Sequence, residues 1–321
     1  MKWRFNLLLA LALVAAMAMS LFAGKVWLPL VTWHNGDPRF LIIAELRMPR
    51  TLLAALVGGG LGLSGAAMQG YLRNPLADPG LFGVSSGAAL CAVISLFFGY
   101  TAQAWLLPAF ALTGAGAAMA LLALLVGRSG SLIVFTLGGV ILSSIAGSMT
   151  ALAISLAPTP FATSQIVTWL MGALTDRSWD DVRLALPLMA VGAALLAATA
   201  RSLDALTLGE TAARSMEVDP LRLQILVVLG VGICVGASVA AAGIIGFVGL
   251  MVPHLVRPFA GHRPSAVQLP SAIGGALLLV LADSLVRAAP TVSELRLGIA
   301  MSMLGGPFFC VLLIRMRRQL P

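Results

Sequence analysis

Long, nearly uninterrupted runs of apolar residues recur from one end of the chain to the other. A helix that crosses the hydrocarbon core of a bilayer needs about 20 apolar residues. Ten runs reach or approach that length: 7–30, 51–70, 79–99, 105–126, 131–156, 183–200, 221–242, 244–260, 268–287 and 296–315. The strands of an outer-membrane barrel would instead alternate apolar and polar residues in short segments. The pattern therefore predicts an all-α membrane protein with about ten transmembrane helices.

Composition and length support one membrane domain. Hydrophobic residues make up 60% of the chain and charged residues 10%, with a mean hydropathy of +1.00, whereas soluble domains carry about a quarter charged residues. No linker or low-complexity tract divides residues 1–321, so we expect a single transmembrane domain. Lys2 and Arg4 before the first apolar run are also typical of a secretory signal peptide. Because this run is long enough to span, we interpret it as the first helix.

The net charge of +8 has a simpler explanation than nucleic-acid binding, because the basic residues are scattered among loops and no polar domain is present. Cytoplasmic loops of membrane proteins are enriched in Lys and Arg. With ten spans and both termini cytoplasmic, twelve cationic residues fall inside and eight outside. We therefore expect an inner-membrane protein in this orientation, in contact with lipid and without a nucleic-acid partner. The outer cations are Lys25, Arg39, Arg47, Arg50, Arg177, Arg183, Arg287 and Arg296.

Two segments interrupt the apolar pattern with helix-breaking residues. Residues 73–87 carry two prolines, an Asn, an Asp and three glycines between two apolar runs. Broken helix at bilayer depth persists only beside protein or water, so the segment is either a helix junction lining a path or an ordinary polar loop. Gly243, Gly246 and Gly249, followed by Pro253, predict a second helix break.

Three polar stretches connect the spans. The stretches 33–50 and 157–183 are predicted to be external, and 201–222 is the longest cytoplasmic loop. Within this loop, residues 204–217 have helical character, and Glu210 and Arg214 are spaced four apart, as in an intrahelical ion pair. Such a helix is either a docking surface for a soluble partner or a simple connection between two spans.

Eight short motifs occur in order between about residue 47 and residue 309. They are Arg47-Met-Pro-Arg50, Ser64-Gly-Ala-Ala-Met-Gln69, Asn74-Pro-Leu-Ala-Asp-Pro-Gly-Leu-Phe-Gly83, Val84-Ser-Ser-Gly87, Leu208-Gly-Glu210, Gly246-Phe-Val-Gly-Leu250 with Val252-Pro-His254, Ala282-Asp283 and Gly305-Gly-Pro-Phe-Phe309. Together they resemble the permease subunits of type II ABC importers for iron–siderophore complexes, haem and vitamin B12 (FecCD-type).

The resemblance implies a bundle of ten helices like that of the vitamin B12 importer permease, working as a homodimer with the path at the subunit interface. It also implies two cytoplasmic ATPase subunits and a periplasmic substrate-binding protein. An iron–siderophore complex is the first expectation for the cargo, with haem or vitamin B12 as alternatives. The chain's lysines, Lys2 and Lys25, lie outside any phosphate-binding loop motif. We therefore expect no enzyme activity and no cofactor here, with ATP and Mg²⁺ bound by the partner.

Three groups of residues take roles from the resemblance. Docking of the binding protein is expected at Arg47, Arg50 and Arg287, for which interfacial snorkelling is the simpler alternative. Coupling to the ATPase is expected at Leu208, Gly209, Glu210 and Ala213. The translocation path or gate is expected near Met68, Gln69, Asn74, Ser85 and Ser86, although each alone also fits helix packing.

Other chemistry finds less support in the sequence. The cysteines lie far apart in apolar spans, and His254 has no carboxylate or second His nearby, so no metal site is predicted. Asp283 and Arg287 are spaced for an ion pair at the membrane edge. An ion-coupled secondary transporter would need ionisable groups at mid-membrane, and a membrane enzyme would need a catalytic cluster. Arg296 stands where the resembled family usually has proline, and we expect it to add an external cation for docking.

Overall fold

The computed structural model describes residues 2–24, 33, 37, 39–100, 105–127, 132–290 and 294–317, and the regular structure in them is helical. The helices are α1 (Lys2–Phe22), α2 (Met48–Tyr71), α3 (Val84–Phe97), α4 (Leu106–Val126), α5 (Leu132–Ser155), α6 (Pro160–Leu170), α7 (Trp179–Ala198), α8 (Ala200–Leu206), α9 (Glu210–Ser215), α10 (Pro220–Ala242), α11 (Val248–Ala260), α12 (Pro264–Ala288) and α13 (Leu297–Arg317). A π-helical turn, Ile42–Arg47, leads into α2, and a 3₁₀ turn, Pro79–Phe82, precedes α3.

Every predicted span coincides with a helix. Among the described residues, seven helices are long and apolar enough to cross a bilayer, and α3 and α13 contribute shorter apolar segments. The remaining predicted span, 244–260, corresponds to α11, which has only 13 residues. The fold class predicted from the sequence, an all-helical membrane protein, is therefore confirmed. Residues 25–30 of the first predicted span lie outside the described residues.

Several boundaries differ from the prediction, each for a local reason. The third span begins at Val84 rather than 79, because Asp78 caps a 3₁₀ turn that ends at Gly83 with φ 81°. The stretch 157–183, predicted as a polar loop, contains α6, which Thr159 caps through its side chain. The stretch 33–50 likewise turns helical well before its end.

The loop 201–222, predicted to be cytoplasmic, also has a break that its periodicity does not show. The predicted helix over 204–217 forms as two short helices, α8 and α9, separated at Gly209 with φ 98°. A positive φ of this kind is accessible to glycine at little cost. Asp219 then caps α10 by accepting a hydrogen bond from Leu221 N–H at 2.9 Å, as the Asp-Pro pair predicts.

Helices α2 and α10 form the centre of the bundle. In the most apolar 18-residue segment of each of these helices, 78% is buried, compared with 17% for α5 and 11% for α1. The surfaces of α1 and α5 carry large apolar side chains that are more than half exposed, such as Leu8, Ile133 and Leu152. Such surfaces face lipid or another subunit in a membrane.

Glycines allow the backbone of α2 to approach its neighbours closely. A Cβ added at Gly58 would lie 2.2 Å from the carbonyl oxygen of Gly275 in α12, and one at Gly62 would lie 2.2 Å from that of Ser271. A Cβ at Gly65 would lie 1.9 Å from the carbonyl oxygen of Gly249 in α11. Close approach through small residues increases van der Waals contact between membrane helices, where apolar transfer from water contributes little.

Both predicted breaks occur beside this centre. Residues 72–83 form a junction rather than a simple loop, since Pro79 contacts Gly249 and Gly83 packs on α5 at Leu142. The break after α10 is confirmed by Gly243, with φ 70°, and by Phe247, which adopts the left-handed region at φ 68°. Gly243 packs on Trp169 and Gly172, so this break lies against the end of α6.

Alanine at Gly62 should destabilise the protein, because the added Cβ has no space against Ser271. Overpacking of this kind costs about 1–3 kcal/mol. The Gly62→Ala variant should therefore lose its folded population at a lower temperature than wild type does. Size-exclusion chromatography in detergent after heating measures this loss. Gly116→Ala is the matched control, since nothing lies within 4 Å of its Cβ in the described part of the chain. Equal midpoints for the two variants would contradict the close approach.

Candidate functional site

The residues predicted for docking and for coupling lie at two opposite ends of the bundle. Helix α7 runs from Trp179 to Ala198, and 20 helical residues span about 30 Å. We call the end near Trp179, which also carries Arg50 and Arg287, the arginine end. We call the other, which carries residues 200–219, the loop end.

A buried carboxylate organises the arginine end. Asp283 of α12 has a fully buried side chain and receives hydrogen bonds from Arg50 of α2, at 2.8 Å from Nη2 and 3.0 Å from Nε. Arg287 lies one turn further along α12, with Nε 3.0 Å from Asp283 Oδ2. Arg50 Nη1 also pairs with Glu294, just before α13, at 2.9 Å. The predicted Asp283–Arg287 pair is thus confirmed as part of a larger network.

Two of the arginines hold the end of α1. Arg47 donates to the carbonyl oxygen of Leu21 at 2.7 Å, and Arg287 donates to that of Ala23 at 3.4 Å and to the hydroxyl of Ser20. The last carbonyl groups of a helix have no partner within it and carry partial negative charge. The guanidinium groups therefore satisfy the carboxyl end of α1 and fix it against α2 and α12.

These contacts bear on the docking role predicted for the arginines. All three lie at one end of the bundle, but Arg47 is 6% exposed and Arg287 4%, and the side chain of Arg50 is 11% exposed. Each already has partners within the chain. Docking at these residues remains a prediction, in which a carboxylate of the binding protein would have to compete with Glu294 for Arg50.

At the loop end, the predicted coupling residues divide between surface and interior. Leu208 is 67% exposed and therefore available to a partner, whereas Gly209 is partly exposed and forms the sharp turn before α9. Glu210 does not form the suggested pair with Arg214 but lies 3.6 Å from Arg73 of the junction. Ala213 is only 3% exposed and packs into the core. In this chain alone, its contribution is to fix α9.

The predicted path residues are not gathered in one place. Met68 and Gln69 are buried, and Gln69 binds α11 by donating to the carbonyl oxygens of Gly249 and Leu250 at 3.3 Å. Its side-chain oxygen accepts a hydrogen bond from Arg257 at 2.7 Å. Gln69 thus joins α2 to α11, a role that no sequence motif indicates.

Asn74 belongs to a different surface. Its side-chain oxygen accepts from Leu76 N–H at 2.9 Å, which shapes the junction. It lines an open cavity of about 400 Å³ between the junction and α5, with Phe82 and Leu137 among the apolar walls. Ser85 and Ser86 begin α3 and are partly exposed. Of the five path residues, Asn74 lines this cavity and Gln69 lines another, of about 310 Å³, with Arg73 and Arg257. A path lining remains a prediction for all five.

A titratable group also lies in this junction. The carboxylate of Asp78 accepts from Gly80 N–H at 2.7 Å. Loss of solvent raises the pKa of Asp78, and the hydrogen bond acts in the opposite direction. The hydrogen bond accounts for the turn at Pro79, which brings α3 back against α5.

This architecture defines a class of protein: a polytopic helical bundle with a charged network at one end and short exposed helices at the other. More specifically, residues 11–315 match the model of the FecCD transport family, and the chain belongs to this family. Its members are multi-pass inner-membrane permeases of ABC importers.

Individual relatives cover nearly the whole chain. The permease protein YvrB of Bacillus subtilis is 37% identical over 95% of this chain and 92% of its own. The Fe(3+) dicitrate permease protein FecD of Escherichia coli is 35% identical over 99% of this chain and 100% of its own. The vitamin B12 permease protein BtuC of Salmonella typhi is 36% identical over 98% of this chain and 96% of its own.

A solved structure shares the same fold. It is described as an inward-facing conformation of an ABC transporter assigned to the metal-chelate type. It superposes with a TM-score of 0.89 and 30% identity, covering 97% of this chain and 99% of the other.

Replacing Asp283 should cost more stability than replacing Glu294. In Asp283→Asn, the buried guanidinium groups of Arg50 and Arg287 lose the carboxylate they share, and breaking such a buried group costs about 3–5 kcal/mol. Glu294 is 28% exposed, and Glu294→Gln should cost about 1 kcal/mol or less. Thermal unfolding of both variants in detergent compares the two. Equal losses would show that Asp283 is not the organising group.

Proposed function

We propose that this chain is the membrane-spanning subunit of an ATP-driven importer that carries a metal chelate, first of all an iron–siderophore complex, from the periplasm to the cytoplasm. The family match over residues 11–315 is the observation that carries this proposal. The names of the relatives include Fe(3+) dicitrate and vitamin B12. Haem or vitamin B12 is therefore the alternative cargo for the same machinery.

The assembly we propose has two copies of this chain, two ATPase subunits and one binding protein. The exposed apolar surface of α5, including Ile133, Leu137 and Leu152, favours a second copy as its cover. The ATPase is placed in a partner because Lys2 and Lys25 lie outside a phosphate-binding loop motif. ATP and Mg²⁺ would bind there, while this chain supplies the path.

The proposed orientation puts both termini and the loop end in the cytoplasm and the arginine end in the periplasm. The excess of cations predicted for the cytoplasmic side supports this choice. In this orientation Leu208 and Glu210 face the ATPase, and Arg50 faces the binding protein. Charge complementarity at such a surface governs orientation and association rate more than affinity.

Uptake into proteoliposomes tests the function directly. Vesicles containing this chain and its ATPase, with the binding protein added, would be offered ferric siderophore, haem and cobalamin, each with and without ATP. We expect accumulation of one ligand that requires both ATP and the binding protein, because the chain has no energy source of its own. Uptake that ignores ATP and follows an ion gradient would contradict the proposal.

The coupling surface has its own test in Leu208. An arginine at this exposed position should weaken assembly with the ATPase and lower uptake by about tenfold, since burial of one leucine contributes roughly 1.5–3 kcal/mol. Leu208→Met is the matched control and should retain both assembly with the ATPase and uptake. Co-purification of the ATPase and the uptake rate are the measurements, with thermal stability of the chain alone as the check on folding. Normal assembly of Leu208→Arg would exclude this surface.

A further inference from the structure

A second open cavity, of about 400 Å³, lies at the arginine end. Its walls come from α6, from residues 173–177, from the end of α10 and from Arg296, just before α13. We call it the α6 cavity. Phe161, which is 76% exposed, and Trp169 contribute aromatic surface, and the remaining wall is rich in polar side chains. None of these residues belongs to the network around Asp283.

The polar side chains of the α6 cavity have unused hydrogen-bonding capacity. Ser164, Gln165 and Thr168 line it from α6, and their side chains form no hydrogen bond to another described residue. Arg296 donates once, from Nη1 to Thr175 Oγ1 at 3.3 Å. A guanidinium has five N–H donors, so most of those of Arg296 remain for a bound molecule.

The charges of the cavity leave Arg296 as its uncompensated cation. Arg177 is paired with Asp181 at 3.3 Å, whereas Arg296 forms no ion pair with a described residue. Asp176, on the rim, is exposed and is the acidic side chain among the lining residues. The two charges oppose each other in attracting an anion, and their removal should therefore have opposite effects.

A purely structural role does not account for Arg296. The start of α13 is already held by Gly298, whose N–H donates to the carbonyl oxygen of Gly172 at 3.2 Å. Gly298 also approaches Met171 so closely that a Cβ would lie 2.3 Å from its carbonyl oxygen. The cation is therefore additional to what positions the helix.

We propose that the α6 cavity contacts an anionic, oxygen-rich edge of the chelate cargo, with Arg296 as the contacting cation. Guanidinium groups bind carboxylates and similar oxygen pairs through two parallel hydrogen bonds. The hydroxyl and amide groups of α6 supply further donors, and the aromatic side chains supply an apolar wall. The inference rests on the proposed importer function and adds a preference for negatively charged chelates.

Direct binding without the binding protein tests this preference. The detergent-solubilised complex of this chain with its ATPase would be dialysed to equilibrium against ferric citrate, which is anionic, or a neutral ferric trihydroxamate, both with radioactive iron. Wild type should bind ferric citrate more tightly. Arg296→Gln should weaken that binding by up to about fivefold, the range for a partly exposed charge pair. Arg296→Lys should retain most of it, and Asp176→Asn should strengthen it.

Arg183→Gln is the matched control, because Arg183 lies at the same end, is 77% exposed and does not line the cavity. It should bind both chelates as wild type does. Equal binding of the two chelates by wild type, or no change in Arg296→Gln and Asp176→Asn, would overturn the inference. If the wild-type and variant complexes show such results but still import cargo with ATP, the inference on the α6 cavity fails and the proposed function stands. Loss of ATP-dependent uptake in wild type would instead refute the function.

Discussion

The close approach of α2 to α12 and α11 is the constraint on which the rest of the structure depends. At Gly58, Gly62 and Gly65, the facing carbonyl oxygens occupy the space of a side chain. Because α2 is fixed so tightly, Arg50 near its start reaches Asp283, and Gln69 near its end reaches the backbone of α11. Packing of one central helix thus determines the polar contacts at both ends.

Helix α12 joins the two ends of the bundle in the same way. At the loop end, Asp204 of α8 accepts from the N–H of Ser265 at 2.9 Å and from its hydroxyl at 2.5 Å. At the arginine end, Asp283 and Arg287 bind α2 and α1. A shift of α8 would therefore act on the start of α12, and a shift of α12 would act on the ion pairs around Arg50.

Sequence periodicity predicted the spans because the burial of 20 apolar residues is a local requirement of the bilayer. It also predicted the break at Gly243, since clustered glycines and prolines are local signals. It missed α6, whose 11 residues include polar positions that resemble a loop. Asp283 and Arg287 could be paired from their spacing, but contacts between distant helices, such as Glu210 with Arg73, leave no periodic signal.

The segment before α13 shows why the arginine end requires both local and distant contacts. Glu294 binds Arg50 on one side, and Arg296, two residues later, binds Thr175 on the other. Gly298 then packs against the carbonyl oxygen of Ile244, in the break after α10. Five residues therefore connect the charged network, the α6 cavity and the broken helix. A movement of α13 would alter all three together, because all three are contacted by residues 294–298, a stretch no longer than about one and a half turns of helix.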